Sequence, residues 1–347
     1  MAYRFPDVLK RNRVAFGEQD TAPVENTYLQ TVIIQNREFQ RYAIDNLINL
    51  VPVDEASTKF ESAPQFILTG YQDEAERLEM QHRMLEYVFD NRLIFPYVPN
   101  PRRVLDCGYG AASWAIEVAE QYPSCDVIGV DISTHLKPDE TPDNLWLQLD
   151  DLNEPFTFHS NTFDVVHSRL VASGINRDRW PGYVRDISRH YQMAWMKLSN
   201  DIIDQPERVL KPGGWLQMVE MYFNCQSDNG SLTPANALRQ WSENYMRSVD
   251  DIKDPRAATR LPNLMSATGL VNVESRMIPL PTSSWSSDPR DRNIGEKNRE
   301  NVHRLLSTVA VYPFTQRLGM SYDEFQVLIA SARQEARDSS LKAYFPL

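Results

Sequence analysis

The sequence predicts an α/β protein with a mostly parallel, doubly wound sheet of six to seven strands. Two observations predict this fold. Residues 103–131 contain a short apolar strand, a glycine-containing turn, a helical pattern and a second apolar strand. Further short apolar runs alternate with helical segments along the rest of the chain, which is typical of parallel sheets covered by helices on both faces.

The first strand of the sheet comes from Val104 and Leu105 and ends at Asp106, where Gly108 and Gly110 relax the backbone. The apolar residues that follow recur with helical spacing, and the apolar run 127–130 is closed by Asp131. Such a unit places backbone N–H groups and a carboxylate at one edge of a sheet. That edge suits a ligand that carries a nucleoside.

The remaining elements follow from the same patterns. We expect strands at 145–149, 162–167, 215–220 and 271–278, and helices at 234–249, 298–311 and 323–337. Residues 1–100 are expected to form a helical extension or cap, with a broken helical pattern at 28–50 and a stronger helix at 73–92. Residues 101–347 then form the core. Within it, 181–208 is longer than a simple crossover needs, and we interpret it as a lid-like insertion.

Composition and charge exclude several classes of partner. The 47 acidic residues exceed the 36 Lys and Arg, and the net charge of −11 repels a nucleic-acid backbone on average. Cys107, Cys125 and Cys225 form neither a disulfide framework nor a metal-ligand spacing, so no metal site is predicted. No run approaches the roughly 18 apolar residues of a membrane span, and the start lacks a signal-peptide core. The cytoplasm or the nucleus is therefore the expected location, without a membrane partner.

Ionisable side chains follow the strands at the edge where a ligand would bind. Because the carboxyl ends of parallel strands meet at the same edge of a sheet, their convergence indicates a ligand site. These residues are Asp106, Asp131, Asp150, Asp151, His167 and Glu220.

Two nucleoside cofactors compete for this edge, a dinucleotide and S-adenosylmethionine. The dinucleotide fingerprint G-x-G-x-x-G fails at its third glycine, which is Ser113 here, and Asp106 would repel a pyrophosphate. A sulfonium ligand with an ammonium group tolerates that acid because both centres are cationic. Asp131 suits ribose hydroxyls in either case, and Asp151 can accept from an adenine amino group. The sequence therefore favours the methyl donor.

Five motifs occur in order along the chain: LDCGYG at 105–110, Asp131, Asp150-Asp151, FDVVHSR at 163–169 and VLKPGG at 209–214. This succession resembles that of class I S-adenosylmethionine-dependent methyltransferases. Residues 73–82, 115–119, 172–175 and 342–346 are similar, more narrowly, to fungal LaeA-like methyltransferases. The resemblance implies a Rossmann-like fold with seven strands. The family includes tailoring enzymes of fungal secondary metabolism and regulators that work with velvet-type protein partners.

The resemblance also implies which positions hold the cofactor. One set surrounds its methionine part, one its ribose and adenine, and one the adenine edge. In that order they are Asp106, Gly108, Tyr109 and Gly110, with His167 as the floor; Asp131 and Ile132; and Asp150, Asp151 and Leu152.

Three features depart from the family pattern. Ala112 replaces the usual third glycine and Ala111 a common threonine, so we expect looser cofactor binding. The crossover before Val209 is longer than usual. The sequence given stops at Leu347, where the family continues into a seventh, antiparallel strand, which leaves that strand short, supplied otherwise or absent.

Candidates for catalysis are less specific. His167 and Glu220 are strand-end groups that can accept a proton, and Arg169, Trp195 and Tyr222 are candidates for acceptor binding. Positioning alone can accelerate displacement at a sulfonium, so a general base is not essential.

The leading hypothesis is methylation of oxygen or nitrogen in a small, largely apolar or aromatic acceptor of fungal secondary metabolism, with S-adenosylhomocysteine as the product. Two alternatives stay open. One is a LaeA-like regulator that acts through a velvet-type partner, and the other is a methyltransferase fold turned to non-methylating chemistry.

Overall fold

The computed structural model describes residues 24–54, 74–188 and 208–347. It begins with α1 (Asn26–Leu29), an antiparallel hairpin of β1 (Thr31–Ile34) and β2 (Arg37–Gln40), and α2 (Arg41–Asp45). The broken helix expected at 28–50 is therefore wrong. Gln35 and Asn36 both have positive φ, 50° and 60°, as a tight two-residue hairpin turn requires. The apolar residues around this turn are spaced as in a helix, but the turn at Gln35 and Asn36 makes the segment a hairpin.

The helix expected at 73–92 is present as α3 (Glu74–Val88), with Glu74 and Glu76 in its first turn. Its buried face is partly polar, because Arg77, Gln81 and His82 lie inside together with apolar side chains. Polar side chains on a buried helix face need partners, so this face indicates a site as well as a core.

Five parallel strands form the central sheet, at or near the five core positions expected from the sequence. Their order is β5-β4-β3-β6-β7. The strands are β3 (Arg103–Cys107), β4 (Asp126–Asp131), β5 (Leu145–Leu149), β6 (Phe163–Arg169) and β7 (Leu210–Val219). The strand order changes direction between β3 and its neighbour β6, and the carboxyl ends of β4, β3 and β6 lie side by side there, where ligands bind in such sheets.

Helices cover both faces of this sheet. Helix α4 (Ser113–Gln121) packs on one face through Trp114 and Val118. Helices α5 (Trp180–Ser188) and α7 (Ala257–Ala267) pack on the other, while α6 (Ala237–Val249) joins a separate core. The predicted Rossmann-like α/β fold is thus confirmed. Of the expected insertion, residues 189–207 lie outside the described residues, and among those described no helix is both long and apolar enough to cross a membrane.

The strand expected at 271–278 is wrong. Val271 and Met277 are 79% and 62% exposed, and the strand β8 is Pro279–Pro281 instead. Helices α8 (Pro289–Thr308) and α9 (Tyr322–Arg337) follow at the two expected positions; α8 begins earlier because Asp288 caps it.

The final strand, β9 (Tyr344–Pro346), pairs antiparallel with β8. The amide of Tyr222 donates to the carbonyl of Pro346 (2.8 Å), and Gln226 bridges Tyr344. Strand β9 therefore lies between β8 and the chain that follows β7. The pair β8-β9 forms a separate two-stranded sheet, so among the described residues the central sheet has five strands where six to seven were expected.

Candidate active site at the carboxyl edge of the sheet

A cavity of about 200 Å³ lies at the carboxyl ends of the central strands. Its walls come from four parts of the chain that are distant in sequence. They are the strand ends and turns at 108–111, 131–133, 151–152, 169–174, 220–221 and 223; the N-terminal residues 48, 49 and 51–53; the α3 residues Glu74, Arg77, Leu78, Gln81 and His82; and the α8 residue Leu305 with Val309 just after it.

The turn after β3 is shaped by its backbone. Gly108 has φ of +77°, and a Cβ there would lie 2.5 Å from Cγ1 of Val171, so only glycine fits without a shift. Ala112, where the family usually has glycine, has φ of +62° and precedes α4 as its N-cap. This left-handed conformation costs a non-glycine residue roughly 1–2 kcal/mol. Alanine in place of glycine at position 112 therefore costs conformational free energy.

Asp131 ties the end of β4 to this turn. Its Oδ2 accepts from the amide of Gly110 (2.9 Å), and its Oδ1 accepts from the amide of Ser133 (3.0 Å). Burial raises the pKa of Asp131, while these backbone hydrogen bonds oppose the rise. The carboxylate is held in one orientation and keeps acceptor capacity for hydroxyl groups in the cavity.

Asp151 and Ile132 form the neighbouring part of the wall. Oδ1 of Asp151 accepts from the amide (2.9 Å) and from Nδ2 (2.8 Å) of Asn153. Burial raises the pKa of Asp151, and the bonds from Asn153 oppose that rise. Ile132 is covered by the N-terminal segment, where Nε2 of Gln40 donates to its carbonyl (3.0 Å).

Arg169 and His82 line the cavity on the other side of the glycine turn. Nη2 of Arg169 donates to Nδ1 of His82 (3.1 Å). Burial, helped by Arg169, lowers the pKa of His82 to about 4, so the ring is neutral at neutral pH. Because a guanidinium has only donors, Nδ1 must accept, and the ring proton is on Nε2.

His82, Glu86 and Glu117 are close enough to be considered as metal ligands, since one ligand atom of each lies within 4.8 Å of the others. Nε2 of His82 lies 3.1 Å from Oε1 of Glu117. A nitrogen that binds a metal needs a free lone pair. Nε2 of His82 carries the ring proton and therefore has no lone pair for a metal. This set of donor atoms does not fit a metal ion.

Glu220 lines the cavity at the end of β7. Its Oε1 accepts from the amide of Val171 (2.8 Å), and its Oε2 accepts from the amide of Ala172 (3.3 Å). Burial raises the pKa of this carboxyl group to about 8. Glu220 therefore fixes the 171–172 segment and also presents an ionisable group to the cavity.

Asp106 and Asp150 lie behind the cavity wall. Asp106 is 3% exposed, and burial is the main cause that raises its pKa to about 7; Arg169 opposes this rise. Oδ1 of Asp150 accepts from the amide of Asp151 (2.9 Å), and burial raises the pKa of Asp150 to about 7. Neither carboxyl group lines the cavity in this structure.

His167 requires a correction. Its ring stacks on Trp114 with centroids 3.8 Å apart, and its Nδ1 accepts from Nε2 of Gln217 (2.9 Å). It does not line the cavity, and burial lowers its pKa well below the ordinary value. We therefore retain His167 neither as a proton acceptor nor as the floor of a cofactor site.

Tyr222 also requires a correction. Its backbone pairs with β9, and its neighbours Met221 and Phe223 line the cavity instead. Trp195 lies outside the described residues.

The sequence reasoning missed the apolar half of the cavity. Val51 and Val53, together with Leu305 and Val309, come from opposite ends of the chain and meet there. A signal was available in the apolar run Leu-Val-Pro-Val at 50–53, in which the proline prevents a helix.

Comparison with known proteins identifies the family to which the chain belongs. The model of a methyltransferase domain family matches residues 80–275. The chain is similar to the secondary metabolism regulator laeA of Monascus pilosus, with 26% identity over 78% of this chain and 69% of that protein. It is similar also to the methyltransferase pytC of Aspergillus terreus, with 25% identity over 78% of each.

Among solved structures, the chain is similar to phosphoethanolamine N-methyltransferase 2 of Haemonchus contortus in complex with S-adenosyl-L-methionine. The identity is 16%, and the TM-score is 0.40. The match covers 78% of this chain, which spans half the length of that protein.

The family match covers more than half of the chain, and the protein therefore belongs to the methyltransferase domain family. Within this family it is a LaeA-like, class I S-adenosylmethionine-dependent methyltransferase.

Proposed function

We propose that the protein transfers a methyl group to oxygen or nitrogen of a small, largely apolar or aromatic acceptor in fungal secondary metabolism. One observation carries the proposal. A single cavity has strand-end carboxylates on one side and an apolar wall on the other, so a polar nucleoside and an apolar acceptor can meet within it.

The donor set of the polar half fits the cofactor. Asp131 is oriented to accept from the ribose hydroxyls, and Asp151 from the adenine amino group. Ile132 and Leu152 supply apolar contact for the adenine ring, and Gly108 allows a close backbone approach. When bound, S-adenosylmethionine supplies an electrophilic methyl group on a sulfonium.

The apolar half suits the acceptor. Val51, Met221, Phe223, Leu305 and Val309 line it, and their burial of an apolar molecule contributes roughly 25 cal/mol per Å². The side chains hold the acceptor against the methyl donor and exclude water. Such positioning can supply much of the acceleration of an in-line displacement.

Glu220 is the group that we propose as the proton acceptor when the acceptor is a hydroxyl. It lines the cavity, and its pKa is raised to about 8. A rate that depends on the ionised carboxylate should therefore increase as the pH rises through about 8. Neutral amines need no such base before transfer, so their methylation should lack this dependence.

The test combines calorimetry with a methylation assay. We expect Asp131→Asn to weaken S-adenosylhomocysteine binding by roughly ten- to a hundredfold, the worth of a charge-assisted hydrogen bond. Asp143→Asn, at an exposed loop position, is the matched control. With labelled methyl donor, a panel of phenols and aromatic amines should be methylated in preference to charged amines. Binding that is equal in both variants, or methylation of charged acceptors alone, would contradict the proposal.

A regulatory role through a velvet-type protein partner is the second candidate, because several relatives carry the name regulator. Cofactor binding without a methylated product from any acceptor in the panel would favour it.

A further inference from the structure

Arg169 differs from the other buried arginines that line or flank the cavity. Arg37 pairs with Asp54, and Arg77 pairs with Glu74. Within residues 24–54, 74–188 and 208–347, no carboxylate lies within 4.0 Å of Arg169, and its one hydrogen bond is the bond to His82. A guanidinium has five N–H donors, so most of those of Arg169 are unused by these residues.

The register of the sheet places Arg169 beside the glycine turn. Asp106 pairs with His167 and Cys107 with Ser168, so Arg169 is level with Gly108. Strand β3 lies between β4 and β6, which puts Asp131 on one side of the turn and Arg169 on the other. Two inter-strand spacings amount to about 10 Å. A nucleoside held at Asp131 would therefore extend its substituent across the turn towards Arg169.

We infer that Arg169 binds the α-carboxylate of the cofactor's methionine part, and that His82 is a positioning residue that orients the guanidinium. The inference rests on the proposed cofactor placement at Asp131. It replaces the sequence-based expectation that Arg169 binds the acceptor.

The electrostatics of the site support this assignment. Burial disfavours the charge of Arg169 and lowers its pKa, while Asp106, Glu117 and Glu86 oppose the effect. A carboxylate in the cavity would restore a close counter-charge with charge-assisted hydrogen bonds. The neutral ring of His82 can accept from Arg169 without competing for the ligand.

Two ligands that differ by one carboxylate test the inference. S-adenosylhomocysteine carries the α-carboxylate, and S-adenosyl-3-thiopropylamine lacks it but keeps the amino group. By calorimetry, the native protein should bind the first roughly ten- to a hundredfold more tightly. Arg169→Gln should weaken binding of the first by that factor and leave the second within about threefold, so that the preference disappears. Arg247→Gln, at an exposed position on α6, is the matched control.

His82 is tested by the same preference. His82→Asn places an acceptor near the position of Nδ1 and should keep the preference, whereas His82→Phe removes the acceptor and should reduce it. A purely structural role would instead weaken both ligands equally.

An unchanged preference in Arg169→Gln would overturn the inference while leaving the cofactor placement intact. Equal losses for both ligands would overturn it as well. If the folded native protein binds neither ligand, the proposed cofactor placement is wrong as well. Binding by the native protein therefore separates a failure of the Arg169 inference from a failure of the cofactor placement.

Discussion

Replacing Glu220 by glutamine should change how the stability of the protein responds to pH. The carboxyl group is 4% exposed, and burial raises its pKa from 4.5 to about 8. Between these values the folded protein holds a proton that the unfolded chain has released. The stability contributed by protonated Glu220 is therefore fully present below about pH 4.5 and is lost as the pH rises through about 8.

The magnitude follows from one proton. The free energy of unfolding should fall by up to about 1.4 kcal/mol per pH unit through this window because of Glu220 alone. Glutamine has nearly the same volume and keeps an oxygen for the amide of Val171, but it does not titrate. Asp106 and Asp150 contribute slopes of the same sign, and Lys253 one of opposite sign, in both proteins, so they cancel in the comparison.

The measurement is urea denaturation of the native protein and of Glu220→Gln at steps from pH 5 to 8.5. The variant should gain stability relative to the native protein as the pH rises. Glu243→Gln, at an exposed position on α6, should follow the native curve. Parallel curves for the native protein and Glu220→Gln would refute the reasoning, because they would mean that Glu220 keeps an ordinary pKa in the folded state.

Three further predictions concern the cavity and the residues around it. Gly108→Ala should lower the free energy of unfolding, measured by urea denaturation, by about 2–4 kcal/mol. The loss has two causes, since φ is +77° and the new Cβ would clash with Val171. Adding Val171→Ala should recover only the part of the loss that comes from the clash. Lys253→Met should lower the free energy of unfolding by about 2–4 kcal/mol and increase proteolysis near Ile48, because the carbonyl of Ile48 loses its hydrogen bond from Nζ (2.7 Å). Unchanged proteolysis would contradict the role of Lys253 as an anchor. His167→Phe should keep the turnover number within about twofold, and a loss beyond about tenfold with intact cofactor affinity would restore His167 as a catalytic residue.

The central sheet could be predicted because its strands are apolar on both faces. Val104 and Ile128, for example, are fully buried. The short apolar runs around them lack the alternation of polar and apolar residues that a half-exposed strand would show, which is typical of parallel strands buried on both faces. The secondary-structure predictions were wrong where turn geometry or solvent exposure determines the local structure. Gln35 and Asn36 turn the chain within an otherwise helical spacing, and Val271 is apolar but exposed.

The polar half of the site could be predicted, since topology alone brings Asp131, Asp151 and Glu220 to one edge. Side-chain direction could not. His167 shares its face of β6 with Val165, which packs with Trp114, so the pleat directs its ring onto the α4 face. After β7, Met221 and Phe223 line the cavity, whereas Tyr222 between them does not. Val51 and Leu305 are beyond local patterns because they meet only in the folded chain.

The anchor at Lys253 has a consequence for the order of assembly during synthesis. Nζ of Lys253 binds the carbonyl of Ile48, which is made 205 residues earlier, and also Oδ1 of Asn176 (2.7 Å). The wall at 48–53 is therefore synthesised before the strands of the central sheet but gains this anchor only after α6 is complete. A nascent chain that ends before residue 253 has all five strands of the sheet and their carboxylates, but its N-terminal wall lacks the lysine that fastens it.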